Sequence, residues 1–300
     1  MAFVYSEIDR NKRKTWLLMA VFIIVLVGIA YPVGYQIGDP LIAVAIIGGF
    51  SFFYALISYF AGAKVALFVS QAKPLKKEEN ARLYRIVENL SITAGIPMPK
   101  IYLIDDTAMN AFATGRDPKH AAIAFTTGIV DMLEDAELEG VAAHEISHIK
   151  NYDIRLATLV LMLVSIIAVI SDFLRRGFLH SGRGSRKGGN QAAVIWLVLA
   201  IVLPIVAPII ATLTQLALSR RRESLADASA VLLTRYADGL ANALEKLSKD
   251  EEILEVANRG TAHLYIVSPL RGKRGTGLSK LFMTHPPIEE RIKALREMRS

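Results

Sequence analysis

The amino-acid sequence predicts a mainly α-helical membrane protein, in which four hydrophobic helices accompany a cytoplasmic domain of mixed α+β structure. Of its 300 residues, 53% are hydrophobic, and the mean hydropathy is +0.37. Charged residues make up 21% of the chain but leave a net charge of +7, so the apolar residues must be concentrated in blocks. The chain has no cysteine, which excludes a disulfide-stapled domain, a thiolate zinc finger and an iron–sulfur protein.

The first two apolar blocks predict a pair of transmembrane helices. Thr15 to Gly38 and Leu41 to Ala63 contain no charged side chain, and each exceeds the roughly 20 apolar residues that cross a bilayer. The first run is too long for the apolar part of a cleaved signal peptide. Basic residues flank the pair and place both flanks in the cytoplasm: Arg10, Lys12, Arg13, Lys14, Lys73, Lys76 and Lys77.

The third and fourth blocks, Leu156 to Ser171 and Gly188 to Ser219, predict a second hydrophobic hairpin. Its loop, 175–187, carries five basic and no acidic residues. Two spanning helices would put this loop outside, against the positive-inside rule, and the third block rises only about 24 Å as a helix; a partly embedded hairpin is therefore the alternative. The predicted regions are an N-terminal membrane hairpin (1–72), a first soluble part (73–155), the second hairpin (156–219) and a second soluble part (220–300).

The two soluble parts combine helix and strand patterns. Ile101 to Ile104 has the composition of a strand, and Ala108 to Thr114 with Ala121 to Thr127 predict a β-hairpin around a Gly-Arg-Asp-Pro-Lys turn. Helices are predicted over four stretches: Glu78 to Leu90, Ala136 to Lys150, Tyr236 to Asn258 and Ile288 to Met298. For Ala136 to Lys150 the reason is that it has no proline and a single glycine.

The stretch His144-Glu145-Ile146-Ser147-His148 lies inside the second of these predicted helices. Spacing of i and i+4 puts both imidazoles on one face of a helix, where two neutral nitrogens can bind one zinc ion. Glu145 can then reach a water molecule as a general base. The alternative is a helix whose two histidines are ordinary polar residues without a metal.

A catalytic zinc ion needs a third protein ligand. The metzincin pattern is excluded, because Ile154 stands where its third histidine is required. Glu223 and Asp227 follow the fourth block at i,i+4 spacing, so one carboxylate could bind zinc while the other orients a histidine. The alternative is an exposed helix on which both acids pair with the neighbouring arginines at 220–222.

With these motifs, nearly the whole chain resembles the HtpX proteases, membrane zinc metallopeptidases related to the CAAX prenyl proteases. The resemblance rests on the His144 to His148 motif and on four further stretches with one arginine: Asn151 to Asp153, Ser219 to Asp227, Met109 to Gly115, Thr284 to Pro287, and Arg291. It implies that His144, His148 and Glu223 bind one zinc ion, that Glu145 is the base, and that Asp227 supports His144. It also implies a gluzincin-like zinc protease domain interrupted by a membrane hairpin.

The same resemblance implies two substrate contacts. His285 and Arg291 would approach the site, to stabilise an oxyanion or hold the substrate backbone. The alternative is a histidine in a Pro-flanked turn and a solvated helical arginine. Asn110 and Ala111 would form a strand edge with which an extended polypeptide pairs, although an ordinary hairpin strand explains the pattern equally well.

The sequence thus predicts a zinc endopeptidase of the cytoplasmic membrane, multi-pass and with its active site facing the cytoplasm. Its partners would be the lipid bilayer and unfolded or damaged membrane proteins, which the resemblance assigns to quality control. ATP is not expected, because Leu278 stands where a phosphate loop needs lysine, and the basic loops lack the interleaved aromatics typical of nucleic-acid binding. The alternatives are a CAAX-type processing protease and a non-catalytic membrane scaffold or transport protein with a structural histidine pair.

Overall fold

The computed structural model describes residues 2–163, 165–166, 220–257, 261–267, 269 and 287–298. Within these ranges the chain forms helices, a four-stranded sheet and short connections. The helices are α1 (Ala2–Ile37), α2 (Pro40–Val69), α3 (Ala81–Ala94), α4 (Thr127–Met132), α5 (Asp135–Lys150), α6 (153–163), α7 (Arg220–Thr234), α8 (Ala237–Lys249) and α9 (Ile288–Glu297). The strands are β1 (Lys73–Pro74), β2 (Lys100–Ile104), β3 (Ala111–Gly115) and β4 (Ala121–Thr126).

The first two helices pack side by side and carry an apolar outer surface. Asp39 starts α2 as its N-cap, with a side-chain oxygen that accepts hydrogen bonds from two backbone N–H groups. The ring of Trp16 stacks on that of Tyr59, with centroids 5.8 Å apart. Large apolar side chains on α2 remain exposed, among them Phe53 and Phe68. Such a surface is typical of contact with lipid.

By length and composition, α2 is the one helix among the described residues that could cross a membrane. The structure also lengthens the first predicted helix, because α1 begins at Ala2 and carries the basic residues before Thr15. The start of the third block is helical in α6 and packs against both long helices, where Leu156 and Leu159 are buried. The rest of that block, the loop 175–187 and the fourth block up to 219 lie outside the described residues, so the four hydrophobic helices stay a prediction.

The sheet has the strand order β1-β2-β4-β3. β3 and β4 pair antiparallel, which confirms the predicted hairpin, although its first strand begins at Ala111 and not at Ala108. β2 pairs parallel with β4, and β1 pairs antiparallel with β2. β3 is therefore the last strand on its side of the sheet, next to α5.

α5 lies at the centre of the soluble part and packs against β3, α3, α7 and α8. Its contact with α8 is close enough to require glycine: a Cβ atom on Gly140 would lie 2.6 Å from the backbone nitrogen of Leu240. The stretches before and after residues 167–219 thus share one core.

Three predicted helix boundaries were wrong, and one of them is the end of α3, which lies at Ala94 and not at Leu90. α3 begins at Ala81, because the side chain of Asn80 accepts a hydrogen bond from the N–H of Leu83 and caps the helix there. The helix predicted to end at Asn258 ends at Lys249. Asp250 leaves the helix because its carboxylate accepts hydrogen bonds from the backbone N–H groups of Met109 and Glu252.

Candidate metal centre

His144, Glu145 and His148 occupy the buried second half of α5. The rings of the two histidines lie one helical turn apart, with centroids 4.7 Å from each other. Glu223 and Asp227, on the first turns of α7, face the same point and are also buried. The helix predicted for these two acids is thus present, and it does not expose them to solvent as the salt-bridge alternative required.

Three donor atoms surround one point between α5 and α7. The Nε2 atoms of His144 and His148 lie 3.1 Å apart, and they lie 3.7 and 3.6 Å from the carboxylate oxygens of Glu223. A tetrahedral ion with ligands about 2.0 to 2.1 Å away separates its ligands by about 3.3 Å. Two imidazole nitrogens and one carboxylate at this spacing fit a divalent metal ion such as zinc.

The hydrogen bonds of the two rings explain why these nitrogens face each other. The Nδ1 atom of His144 lies 2.9 Å from Asp227, and that of His148 lies 3.0 Å from Asp153. A carboxylate can only accept, so each Nδ1 carries the proton, and a ring in its neutral form presents its lone pair at Nε2. At 3.1 Å the two Nε2 atoms can share one proton or, with both rings neutral, bind one cation between them. The donor set therefore fits a metal ion that replaces the second proton of His148.

The support of His144 comes from α7 and α9. Arg291 donates two hydrogen bonds to Asp227, of 2.9 and 2.7 Å, and one of 3.2 Å to the carbonyl of Ile266. Burial acts to raise the pKa of Asp227, but Arg291 and the hydrogen bond from His144 outweigh it and lower the pKa to about 2. Burial, assisted by the charge of Arg291, lowers the pKa of His144 to about 4. This histidine is therefore neutral at physiological pH, as a metal ligand must be.

The support of His148 comes from the loop after α5 and from α1. Asp153 bonds His148 through one oxygen and accepts a hydrogen bond of 2.7 Å from the side-chain amide of Asn11 through the other. Burial acts to lower the pKa of His148, but the hydrogen bond to Asp153 and the charges of Glu223 and Asp153 outweigh it and raise the pKa to about 9. The roles of Asp153 and Asn11 were not predicted from the sequence.

Glu145 lines the same cavity as His144, His148 and Glu223. It is buried, and burial raises its pKa to about 7, while the charge of His148 and the backbone of Ala113 act in the opposite direction. A carboxylate with a pKa near neutrality can both take up and release a proton at working pH. This is the property that a general base needs.

A cavity of about 40 Å³ opens onto these residues. It is lined by His144, Glu145, His148 and Glu223, and also by His263, Leu264 and Ile266 from the segment 261–267. The ring of His263 donates a hydrogen bond of 3.0 Å to the carbonyl of Ala157 on α6. A histidine at this wall was not predicted, because no local motif surrounds it.

Of the residues predicted to contact substrate, Arg291 lies at the site and Asn110 and Ala111 lie at the β3 edge. Arg291 is buried against Asp227 and His144, so it approaches the site and is not a solvated arginine. His285 lies outside the described residues. Asn110 and Ala111 are buried at the β3 edge, where segment 261–267 covers them: Ile266 N–H donates to Ala111 O, and the Asn110 amide donates to Val267 O, each over 3.0 Å.

Comparisons with known proteins match nearly the entire chain. The family described as Peptidase family M48 matches residues 77–299. A protease HtpX homolog of Dictyoglomus thermophilum is 47% identical over 296 residues, which cover 98% of this chain and 94% of that protein. Protease HtpX homologs of Tropheryma whipplei and Streptococcus pneumoniae are 45% and 42% identical; each alignment covers 98% of this chain, and they cover 98% and 100% of those proteins.

Among solved structures, the chain is similar to the crystal structure of S. mikatae Ste24p, with 18% sequence identity and a TM-score of 0.49. The alignment covers 98% of this chain and 67% of that one.

Proposed function

This chain belongs to peptidase family M48 and is a membrane metalloprotease, and we propose that it is a zinc endopeptidase that cleaves unfolded or damaged membrane proteins on their cytoplasmic side. His144, His148 and Glu223 would hold one zinc ion, and Glu145 would be the catalytic base. The observation that carries this proposal is the convergence of two imidazole nitrogens and one carboxylate beside a buried glutamate.

A zinc ion in this site supplies a Lewis acid that polarises a peptide carbonyl and makes a water molecule more acidic. Glu145 takes the proton from the attacking water and passes it to the leaving amine. Its buried position keeps its pKa near 7, so both transfers occur without a large energetic cost. Asp227 and Asp153 hold the two imidazoles with Nδ1 protonated, so that both Nε2 atoms would be free to hold the zinc ion.

The substrate backbone would pair with the β3 edge at Asn110 and Ala111. Backbone pairing leaves side-chain specificity broad, which suits unfolded polypeptides. Ile266 already donates its N–H to Ala111, so a bound peptide would have to displace it. Hydrogen exchange tests this: in the Glu145→Gln protein, a bound peptide would speed exchange at the amide of Ile266. Unchanged protection of that amide in the complex would contradict the proposed binding edge.

A cytoplasmic active site is favoured by the basic residues at both outer ends of the α1–α2 pair. Lys12 and Lys14 lie on α1 before its apolar part, and Lys73 follows α2. The chain has no native cysteine, so single cysteines at Asp39 and Lys77 can be labelled from either side. Only the cysteine at position 77 should react from the cytoplasm, and the reverse pattern would contradict this orientation.

Cleavage of an unfolded reporter by the zinc-loaded protein in detergent tests the reaction itself. Glu145→Gln should lower the rate by about 10²- to 10⁴-fold, because general acid–base catalysis contributes about that factor, while the bound zinc remains. Glu139→Gln changes a glutamate on the same helix that does not line the cavity, and it should cleave like the wild type. Equal rates for Glu145→Gln and Glu139→Gln would disprove the proposed base.

A further inference from the structure

Asn11 is a buried amide on the basic first part of α1, and neither membrane insertion nor the proposed reaction accounts for it. A helix that only anchors the protein needs no buried polar side chain that faces the protease core. This amide lies 140 residues away from its partners in sequence, so only the tertiary structure brings them together.

Both hydrogen bonds that Asn11 donates go to the loop that ends α5. Its Nδ2 atom donates to the carbonyl of Asn151 over 3.0 Å and to Oδ1 of Asp153 over 2.7 Å. The residue between these partners, Tyr152, has a φ of 61°, an uncommon backbone conformation for a residue other than glycine. The Nζ atom of Lys12 lies 4.6 Å from the centre of the Tyr152 ring. α1 therefore contacts each residue of the loop 151–153.

The other oxygen of Asp153 bonds His148. One carboxylate thus connects Asn11 with Nδ1 of His148, over distances of 2.7 and 3.0 Å. The Nη1 atom of Arg222 lies 3.8 Å from Oδ1 of Asp153, beyond hydrogen-bond distance. The direct hydrogen bond from Asn11 is therefore what fixes the rotation of this carboxylate, and with it the plane of the imidazole ring.

We propose that Asn11 is a positioning residue of the metal centre, through which the membrane helix α1 sets the metal affinity and the ligand geometry at His148. Asn11 orients Asp153, and Asp153 in turn orients the ring of His148. The inference rests on the proposed function only in that His148 binds a metal ion. It implies that the metal centre is complete only when α1 is seated against the loop 151–153.

The test compares metal affinity in full-length variants purified in detergent. Asn11→Ala should weaken zinc binding, measured by competition with a chelator, by about 10- to 100-fold, since carboxylates that support metal ligands have effects of that size. Asn11→Asp has the same shape but adds a like charge beside Asp153, so it should weaken binding at least as much. Thr15→Val is the control, because Thr15 is buried one turn further along the same helix and bonds only the carbonyl of Asn11.

A double-mutant cycle with Asp153→Asn separates positioning from general packing. If Asn11 acts through Asp153, Asn11→Ala should cause no further loss of zinc affinity in the Asp153→Asn background. The visible spectrum of the cobalt-substituted protein should also shift in Asn11→Ala and remain unchanged in Thr15→Val.

The inference would be overturned if both Asn11 variants bound zinc as tightly as the wild type. It would also be overturned if Asn11→Ala lowered zinc affinity equally in the wild-type and Asp153→Asn backgrounds. Failure of the wild type to bind zinc or cobalt would instead overturn the proposed function. If Asn11→Ala does not fold, the zinc affinity of Asn11→Asp decides the question.

Discussion

The two histidines of the candidate metal centre are held by different regions of the molecule. His144 is held by Asp227, which Arg291 binds through two hydrogen bonds, so its support consists of residues from the protease core. His148 is held by Asp153, which is bonded by the neutral amide of Asn11 on the first hydrophobic helix. One supporting carboxylate accepts two hydrogen bonds from a buried cation, while the other accepts one from an amide and has the guanidinium of Arg222 at 3.8 Å.

This difference has a physical consequence for each side. A buried ion pair resists rearrangement, because breaking it leaves an uncompensated charge in a medium of low dielectric. A neutral hydrogen bond is weaker, and here it depends on how a membrane helix sits against a loop. The His144 side should therefore govern the stability of the fold, and the His148 side should govern how well the metal centre is formed.

Removal of Arg291 should lower the stability of the fold more than any other change on either side of the metal centre. Arg291→Ala leaves Asp227 buried without its cation, and the free energy of unfolding should fall by about 3–5 kcal/mol. Denaturant unfolding of the metal-free protein in detergent measures this fall. Asn11→Ala, which removes only a neutral partner, should cost about 1–3 kcal/mol by the same measurement. Equal losses in the two variants would show that the two sides do not differ in this way.

In the metal-free protein, the stabilising contribution of His148 should be lost at alkaline pH, and that of Asp227 should be lost at acidic pH. The pKa of His148 is raised to about 9 in the folded protein, above its ordinary value of 6.5. Its protonated form therefore stabilises the fold fully below pH 6.5, and this contribution disappears as the pH rises to about 9. Asp153→Asn should weaken this alkaline loss, which is measured as the free energy of unfolding against pH.

At acidic pH the dependence runs the other way, because the ionised form of Asp227 is the one that stabilises the fold. The pKa of Asp227 is lowered from 3.8 to about 2, so its ionised form stabilises the fold above pH 4 by roughly 2 kcal/mol, and this contribution is lost as the pH falls to about 2. Asp227→Asn should remove the acidic loss and leave the alkaline one in place. If Asp227→Asn and Asp153→Asn change the same pH window, the two supports are not independent.

The sequence predicted those features that depend on local spacing. Two histidines at i,i+4 require only that their segment be helical, and the i,i+4 pair of Glu223 and Asp227 carried the same information for α7. The β3–β4 hairpin was predictable for the same reason, since two apolar runs and the turn between them lie within one short stretch.

The features that were not predicted depend on contacts between distant segments. Asn11 looks like one more polar residue in a basic flank, and its bond to Asp153 spans 142 positions. The end of α8 at Lys249 depends on the backbone of Met109, which no helix pattern near residue 250 reveals. Likewise, the strand edge at Ala111 is covered by Ile266, far along the chain.

The number of zinc ions bound per chain tests whether His144, His148 and Glu223 form a metal centre. Metal content should be measured by mass spectrometry on detergent-purified wild type, Glu145→Gln, His148→Ala and Glu223→Gln. We expect one zinc ion per chain in the first two proteins and a loss of tightly bound zinc in the last two, because in the part of the chain that the structure describes only His144, His148 and Glu223 present donor atoms at one point. A wild type without zinc, or His148→Ala and Glu223→Gln proteins that bind it as tightly as the wild type, would contradict the proposed metal centre.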